Sequence, residues 1–159
     1  MAKLNIVKVG DEVLRKQCRP VIQITPRILT LLDDMKEPLH DADGVGLAAP
    51  QVGVLRRICI VECEPGRLYE MINPEIVSSE GEQEELEGCL SVPGRWGYTK
   101  RPMKVTVKAT DRNGMEYTVT GEGLEARAFC HEIDHLDGVI FTDCAVHMLT
   151  DEEMAALGD

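Results

Sequence analysis

The sequence predicts an α+β fold in which antiparallel strands pack around one central helix. Three observations carry that reading. A helical segment, Leu124–Leu136, puts Leu124, Ala128, His131 and His135 on one face at helical spacing. Two alternating stretches, residues 103–110 and 115–120, flank Asp111-Arg112-Asn113-Gly114, and Asn-Gly is a strong hairpin signal. Short runs at residues 57–61, 69–72 and 76–77 read as further strands bounded by turn residues.

Taken in order, the 159 residues fit one domain, 1–159. Residues 1–10 read as a short strand-like start, without the charged end and apolar run of a secretory leader. Residues 11–18 suit a short helix stopped by Pro20. Thr25-Pro26 opens a longer helix, with a hydroxyl cap and a proline in the first turn. Ile28, Leu31, Leu32, Met35 and Leu39 then form one apolar stripe, which belongs to the core. Pro38 lacks an amide hydrogen and crowds the carbonyl of Asp34, so a kink or an irregular last turn is expected. The glycines between residues 44 and 53 suit a tight turn or a close backbone approach. Residues 64–67 are a turn. Five glutamates fall within residues 80–87. Glu80, Glu82, Glu84 and Glu85 are expected in a solvated loop, and Glu87 is expected to pair with Arg101 in support of a metal ligand. Gly123 opens the central helix, and Gly138 follows its end. Residues 139–141 read as a short buried strand or extended segment, and Thr150-x-x-Glu153 as a capping box for a short last helix.

The central helix carries His131-Glu132-Ile133-Asp134-His135, an H-E-x-x-H pattern. Histidines one turn apart project from one face and can share a metal ion, with the intervening glutamate placed to take a proton from a water. A third ligand is needed. Phe141 stands where a metzincin protease has its third histidine, and the downstream acids Asp143, Asp151, Glu152 and Glu153 lie in a polar tail. Cys89, in Glu87-Gly88-Cys89-Leu90-Ser91, is the better candidate, because a thiolate binds iron or zinc strongly. A closed structural site would need a fourth protein donor, for which Cys63, Cys130, Cys144 and His147 are available in principle. Cys18, Cys59, Cys63 and Cys144 otherwise read as small buried or half-buried hydrophobes, and Cys130 as structural.

Net charge is −11, which argues against a general nucleic-acid surface, and no apolar run approaches membrane-spanning length. Reduced cysteines and a cytoplasmic location are expected.

Gly44-Val45-Gly46-Leu47-Ala48-Ala49-Pro50-Gln51, Glu87-Gly88-Cys89-Leu90-Ser91 and the H-E-x-x-H segment, in this order and spacing, resemble the three signature motifs of bacterial peptide deformylases. The resemblance reaches to about Phe141. It implies hydrolysis of the N-formyl amide of peptides that begin with formyl-methionine, releasing formate. Cys89, His131 and His135 would hold the divalent metal: Fe2+ in the cell, with Zn2+, Ni2+ or Co2+ possible in preparations. Glu132 would move the proton. The Gln51 amide and the Leu90 backbone N–H would face the oxyanion, and Gly46 would offer its backbone to the peptide. Val45, Leu124, Ala128 and the face of His131 are expected to line the methionine pocket, with Arg127 near that lining, where its aliphatic stem can form a wall. Nascent chains as substrates make the ribosome an expected partner. The acidic Asp151-Glu152-Glu153 argues against docking through a basic C-terminal helix of the kind some relatives carry. A metalloprotease cutting ordinary peptide bonds and a non-enzymatic metal-binding domain are the rival readings.

Overall fold

The computed structural model describes residues 4–157. Among them, five strands form one antiparallel sheet: β1 (Gly46–Ala48), β2 (Ile58–Val61), β3 (Tyr69–Glu80), β6 (Lys104–Thr110) and β7 (Glu116–Glu122), side by side in that order. Strands β4 (Gln83–Cys89), β5 (Val92–Arg101) and β8 (Ala145–Met148) form a second sheet of three. Helix α1 (Pro26–Asp41) and the central helix α2 (Leu124–Leu136) cover opposite faces of the larger sheet, and short helices α3 (Phe141–Cys144) and α4 (Asp151–Leu157) follow.

Strand β2 shows how the faces are sorted. Its four residues are all fully buried, and successive side chains point to opposite sides. Ile58 and Ile60 join the α1 stripe Ile28, Leu32, Met35 and Leu39. Cys59 and Val61 join Ala126, Phe129, Cys130, Ile133 and Leu136 of α2. The stripe read from the sequence is therefore core. The ring of Phe129 meets Tyr69 edge-on, 5.9 Å between centroids.

The capping signals hold. The Ile28 amide donates to Thr25 Oγ1, and Thr150 and Glu153 exchange the two bonds of a capping box. The 111–114 turn closes through the Asp111 amide to the Met115 carbonyl, with Gly114 at positive φ. Helix α1 runs on through Pro38. It then closes with the two bonds of a Schellman ending, Gly44 amide to Leu39 carbonyl and Asp43 amide to His40 carbonyl. Asp43 takes the left-handed residue's place, at φ 52.

Several expectations need correction. Residues 11–18 give only a 3-10 turn, Glu12–Arg15. Within residues 4–10 no strand forms, although the Val7 and Val9 amides bond to the Gln51 and Ser91 carbonyls; residues 1–3 of the expected strand-like start lie outside the described residues. The runs at 69–72 and 76–77 are one strand, β3, with register shifts at Ile72/Glu75 and Ile76/Ser78. Asn73 sits at φ 53 in the first shift, and its amide both accepts from the Val21 N–H and donates to the Val21 carbonyl. The expected acidic loop is strand: Glu80 ends β3, and Glu84 and Glu85 lie exposed in β4. Residues 139–140 are extended, but Phe141 begins a helical turn. Cys144 is exposed, not buried.

Candidate active site

The central helix places the site. Ten of its thirteen residues are buried, because α2 lies between the large sheet and the inner face of β4 and β5. Leu124 is the exception on the expected apolar face: it is 54% exposed, where the helix emerges. Two and three turns further along, His131 and His135 point toward Cys89 at the end of β4. The donor atoms of these three residues lie within 4.8 Å of one another, and Cys89 Sγ is 3.3 Å from His135 Nε2. Among the described residues, no fourth donor joins the group. Cys130 faces the core, Cys63 packs against it, Cys144 is exposed, and His147 is bonded to Glu153.

Glu87 fixes the first histidine. Its Oε2 lies 2.6 Å from His131 Nδ1, which leaves Nε2 on the side of Cys89 and His135. Arg101 Nη2 donates to the same carboxylate oxygen at 2.7 Å, so the pair expected from the sequence is present. Arg101 Nη1 reaches Asp134 at 2.7 Å, and Arg127 Nη1 donates to Glu87 Oε1 at 2.8 Å. Arg127 also bonds to Thr99 and Gln83. Burial alone would push the Glu87 carboxyl up, but His131 and Arg101 hold it well below the usual carboxylate range. Arg127 borders the cavity, yet it is buried with its guanidinium turned into this network. It forms part of the cavity wall, with its charged end held in the network.

Glu132 differs from Glu87. It is buried, its Oε1 has no hydrogen-bond partner among the described residues, and burial pushes its carboxyl up to about 7. A cation bound beside it would draw that value down. Gly46 of β1 makes room for it: a Cβ there would stand 2.5 Å from Glu132 Oε2. A buried carboxylate oxygen without a partner marks a functional position.

Gln51 follows β1 in a 3-10 turn, Ala49–Val52, and is buried. Its Oε1 accepts from the Ala48 amide at 2.9 Å, which fixes the amide orientation. The NH2 group then donates to Ser91 Oγ at 3.0 Å and lies 3.6 Å from Cys89 Sγ. Ser91 belongs to the Glu87–Ser91 motif, but only the folded chain shows this task. Thr99, Gln83 and Asp134 also went unassigned; Asp134 was readable only as part of the H-E-x-x-H segment.

A cavity of about 440 Å³ opens onto these groups. Val45, Gly46, Gln51, Cys89, Leu90, Leu124, Arg127, Ala128, His131 and Glu132 all line it. Every site residue expected from the sequence borders the cavity except His135, which lies behind it and is fully buried.

The donor set fits a divalent metal: one thiol and two imidazoles, one imidazole oriented by a carboxylate, three donors among the described residues. Fold and site together define a metal-dependent hydrolase, with a buried glutamate beside a three-ligand centre in a substrate-sized cavity. The polypeptide deformylase family model matches residues 3–150. A peptide deformylase of Thermoanaerobacter pseudethanolicus is 56% identical over 153 residues, 96% of each chain. One from Acetivibrio thermocellus is 54% identical, over 97% of this chain and 90% of the other. The crystal structure of peptide deformylase from Thermotoga maritima superposes with TM-score 0.88 at 36% identity, covering 91% of this chain and 99% of that one. The Legionella pneumophila structure gives 0.87 at 44%, covering 99% and 92%. The chain belongs to the polypeptide deformylase family.

Proposed function

We propose that Cys89, His131 and His135 hold the metal, that Glu132 carries the proton, and that Gln51 and the Leu90 N–H stabilise the oxyanion as the N-formyl amide is hydrolysed. The enzyme removes the N-terminal formyl group from newly made polypeptides, and formyl-methionyl peptides are its substrates. The ion is divalent; ferrous iron is the proposed species in the cell, and zinc, nickel or cobalt would suit the same donors. When bound, the ion supplies Lewis-acid polarisation and brings the acidity of a water near neutrality.

The chain's own residues do the rest. Glu132, buried in the cavity wall, accepts a proton and returns it to the leaving nitrogen. The Gln51 NH2, held by Ala48 and Ser91, donates to the formyl oxygen as negative charge develops there. The two-residue turn Leu90-Ser91 sets the Leu90 amide beside Cys89. Glu87, locked by Arg101 and Arg127, keeps His131 oriented. Val45, Leu124, Ala128 and the His131 ring are the proposed contacts of the methionine side chain, and Gly46 offers backbone to the peptide. The family model spans nearly the whole chain, which supports one catalytic domain over residues 1–159. No described helix is long and apolar enough to cross a membrane. A cytoplasmic site of action, near ribosomes and without a specific nucleic-acid partner, belongs to the same proposal.

The observation that carries the reading is the unpartnered, buried Glu132 Oε1 beside the three-donor cluster. Metal analysis tests the ligand assignment. The parent and Glu132→Ala proteins should each retain one divalent ion per chain, and His135→Ala should lose it. Retention by His135→Ala would refute the ligand set.

A further inference from the structure

Residues 42–45 join α1 to β1, and all four line the cavity, as does Gly46 after them. This turn packs against the site at two points. A Cβ on Gly44 would stand 2.8 Å from Leu90 Cδ1, and one on Gly46 would meet the Glu132 carboxylate. A shift of the turn therefore disturbs the surroundings of Leu90 and Glu132 together. Strand β1 is a weak anchor for it, with three residues at the end of the large sheet.

One residue fixes both ends of the turn. Glu62, just past β2, donates its backbone N–H to the Val45 carbonyl at 2.7 Å. Its carboxylate holds the other end. Oε1 lies 2.6 Å from Nε2 of His40, in the last turn of α1, and Oε2 accepts from the Gly66 amide at 3.1 Å. The His40 and Glu62 side chains are 54% and 15% exposed. Neither residue lines the cavity, and neither belongs to the three-donor cluster. An ordinary surface pair joins two elements; this one spans the turn that walls the site.

We propose that His40 and Glu62 are positioning residues for deformylation, a staple that keeps residues 42–46 in the arrangement that receives the peptide. The inference rests on the deformylase reading of this cavity. Without the staple, a smaller share of molecules has the turn in place, and affinity for the peptide falls by that share. Once the peptide is bound, the chemistry belongs to groups that the pair does not touch, so the effect falls on KM more than on kcat. The pair is partly exposed, which limits the change to about two- to fivefold.

The test uses metal-loaded full-length protein and one formyl-Met tripeptide, with formate release as the readout. His40→Ala and Glu62→Ala should each raise KM by about two- to fivefold, with a smaller change in kcat. The double variant should raise KM no further than Glu62→Ala does, because the two side chains act as one unit. Glu62→Gln still accepts from Gly66 and offers a donor to His40, so its KM should lie closer to that of the parent. Hydrogen exchange should quicken over residues 41–46 in both single variants and stay unchanged in the β6–β7 hairpin, which shows that each variant is folded. Parent-like KM in both single variants, additive effects in the double variant, or a fall in kcat larger than the rise in KM overturns the staple and leaves the deformylase reading intact. No formate from the parent overturns both.

Discussion

Glu132 and Gly46 show how much of the site depends on single atoms. Glu132→Gln keeps the shape of the side chain and removes the base. It should lower kcat for formate release by about 10² to 10⁴ with the metal retained, measured by steady-state kinetics beside metal analysis. Gly46→Ala puts a methyl group against the Glu132 carboxylate. Displacing that group by about 1 Å should cost roughly 10²-fold in kcat, with the larger effect on kcat rather than KM. Gln51→Ala removes the proposed donor to the developing oxyanion and should cost about 10² to 10³ in kcat. Ser91→Ala should cost less, because the Ala48 amide still holds Gln51 Oε1. The sequence made the first three of these residues legible, since each sits in a motif with a chemical reason. The task of Ser91 was not legible, because a serine in a tight turn has several ordinary uses.

At the scale of elements, the site depends on strands that hydrophobic pattern does not reveal. The inward positions of β5 include Thr99 and Arg101, and those of β4 include Gln83 and Glu87. Alternation of apolar and polar residues is therefore missing from both strands, and β5 was not read at all. Strand β8 is only four residues long, with exposed or half-buried side chains, and gave no signal for the same reason. By contrast α1, α2 and the β6–β7 hairpin follow apolar periodicity, caps and turn residues, and were legible. The buried Glu87 carboxylate binds two guanidinium groups to one histidine. Glu87→Ala should destabilise the fold by about 3–5 kcal/mol in denaturant titration, because it leaves buried charge unpaired. It should also weaken metal retention by about 10- to 100-fold. A second link is half-buried and titratable. Arg112 of the hairpin turn bonds to Glu70 of β3 and Asp33 of α1. Arg112 holds the Glu70 carboxyl below its ordinary value of 4.5, against the upward push of burial. A carboxyl depressed in the folded state adds stability above its unfolded pKa and loses it as pH falls through the folded one. Thermal melts of Glu70→Gln should therefore lie below the parent at pH 7, and the gap should narrow as pH drops below about 4.5.

For the whole molecule, two sheets and one helix converge to place groups that are far apart in the chain: Gln51 after β1, Cys89 at the end of β4, and His131, Glu132 and His135 on α2. The fold class and the three residues of the donor cluster were legible because motif chemistry and helical spacing are local. The network around Glu87 was readable only at its Glu87–Arg101 pair, because the rest is created by the meeting of sheets. Removing the metal should abolish turnover without unfolding the chain, since its apolar cores pack independently of the three donors. Circular dichroism after chelation, and recovery of activity with ferrous iron, would check this. The most direct test of the central claim is formate release from a formyl-Met peptide by anaerobically prepared, ferrous-loaded protein, with Glu132→Ala run beside it. Release by the parent, with the variant silent and still holding metal, is the predicted result. An inactive, fully metal-loaded parent, or a Glu132→Ala protein as active as the parent, would contradict it.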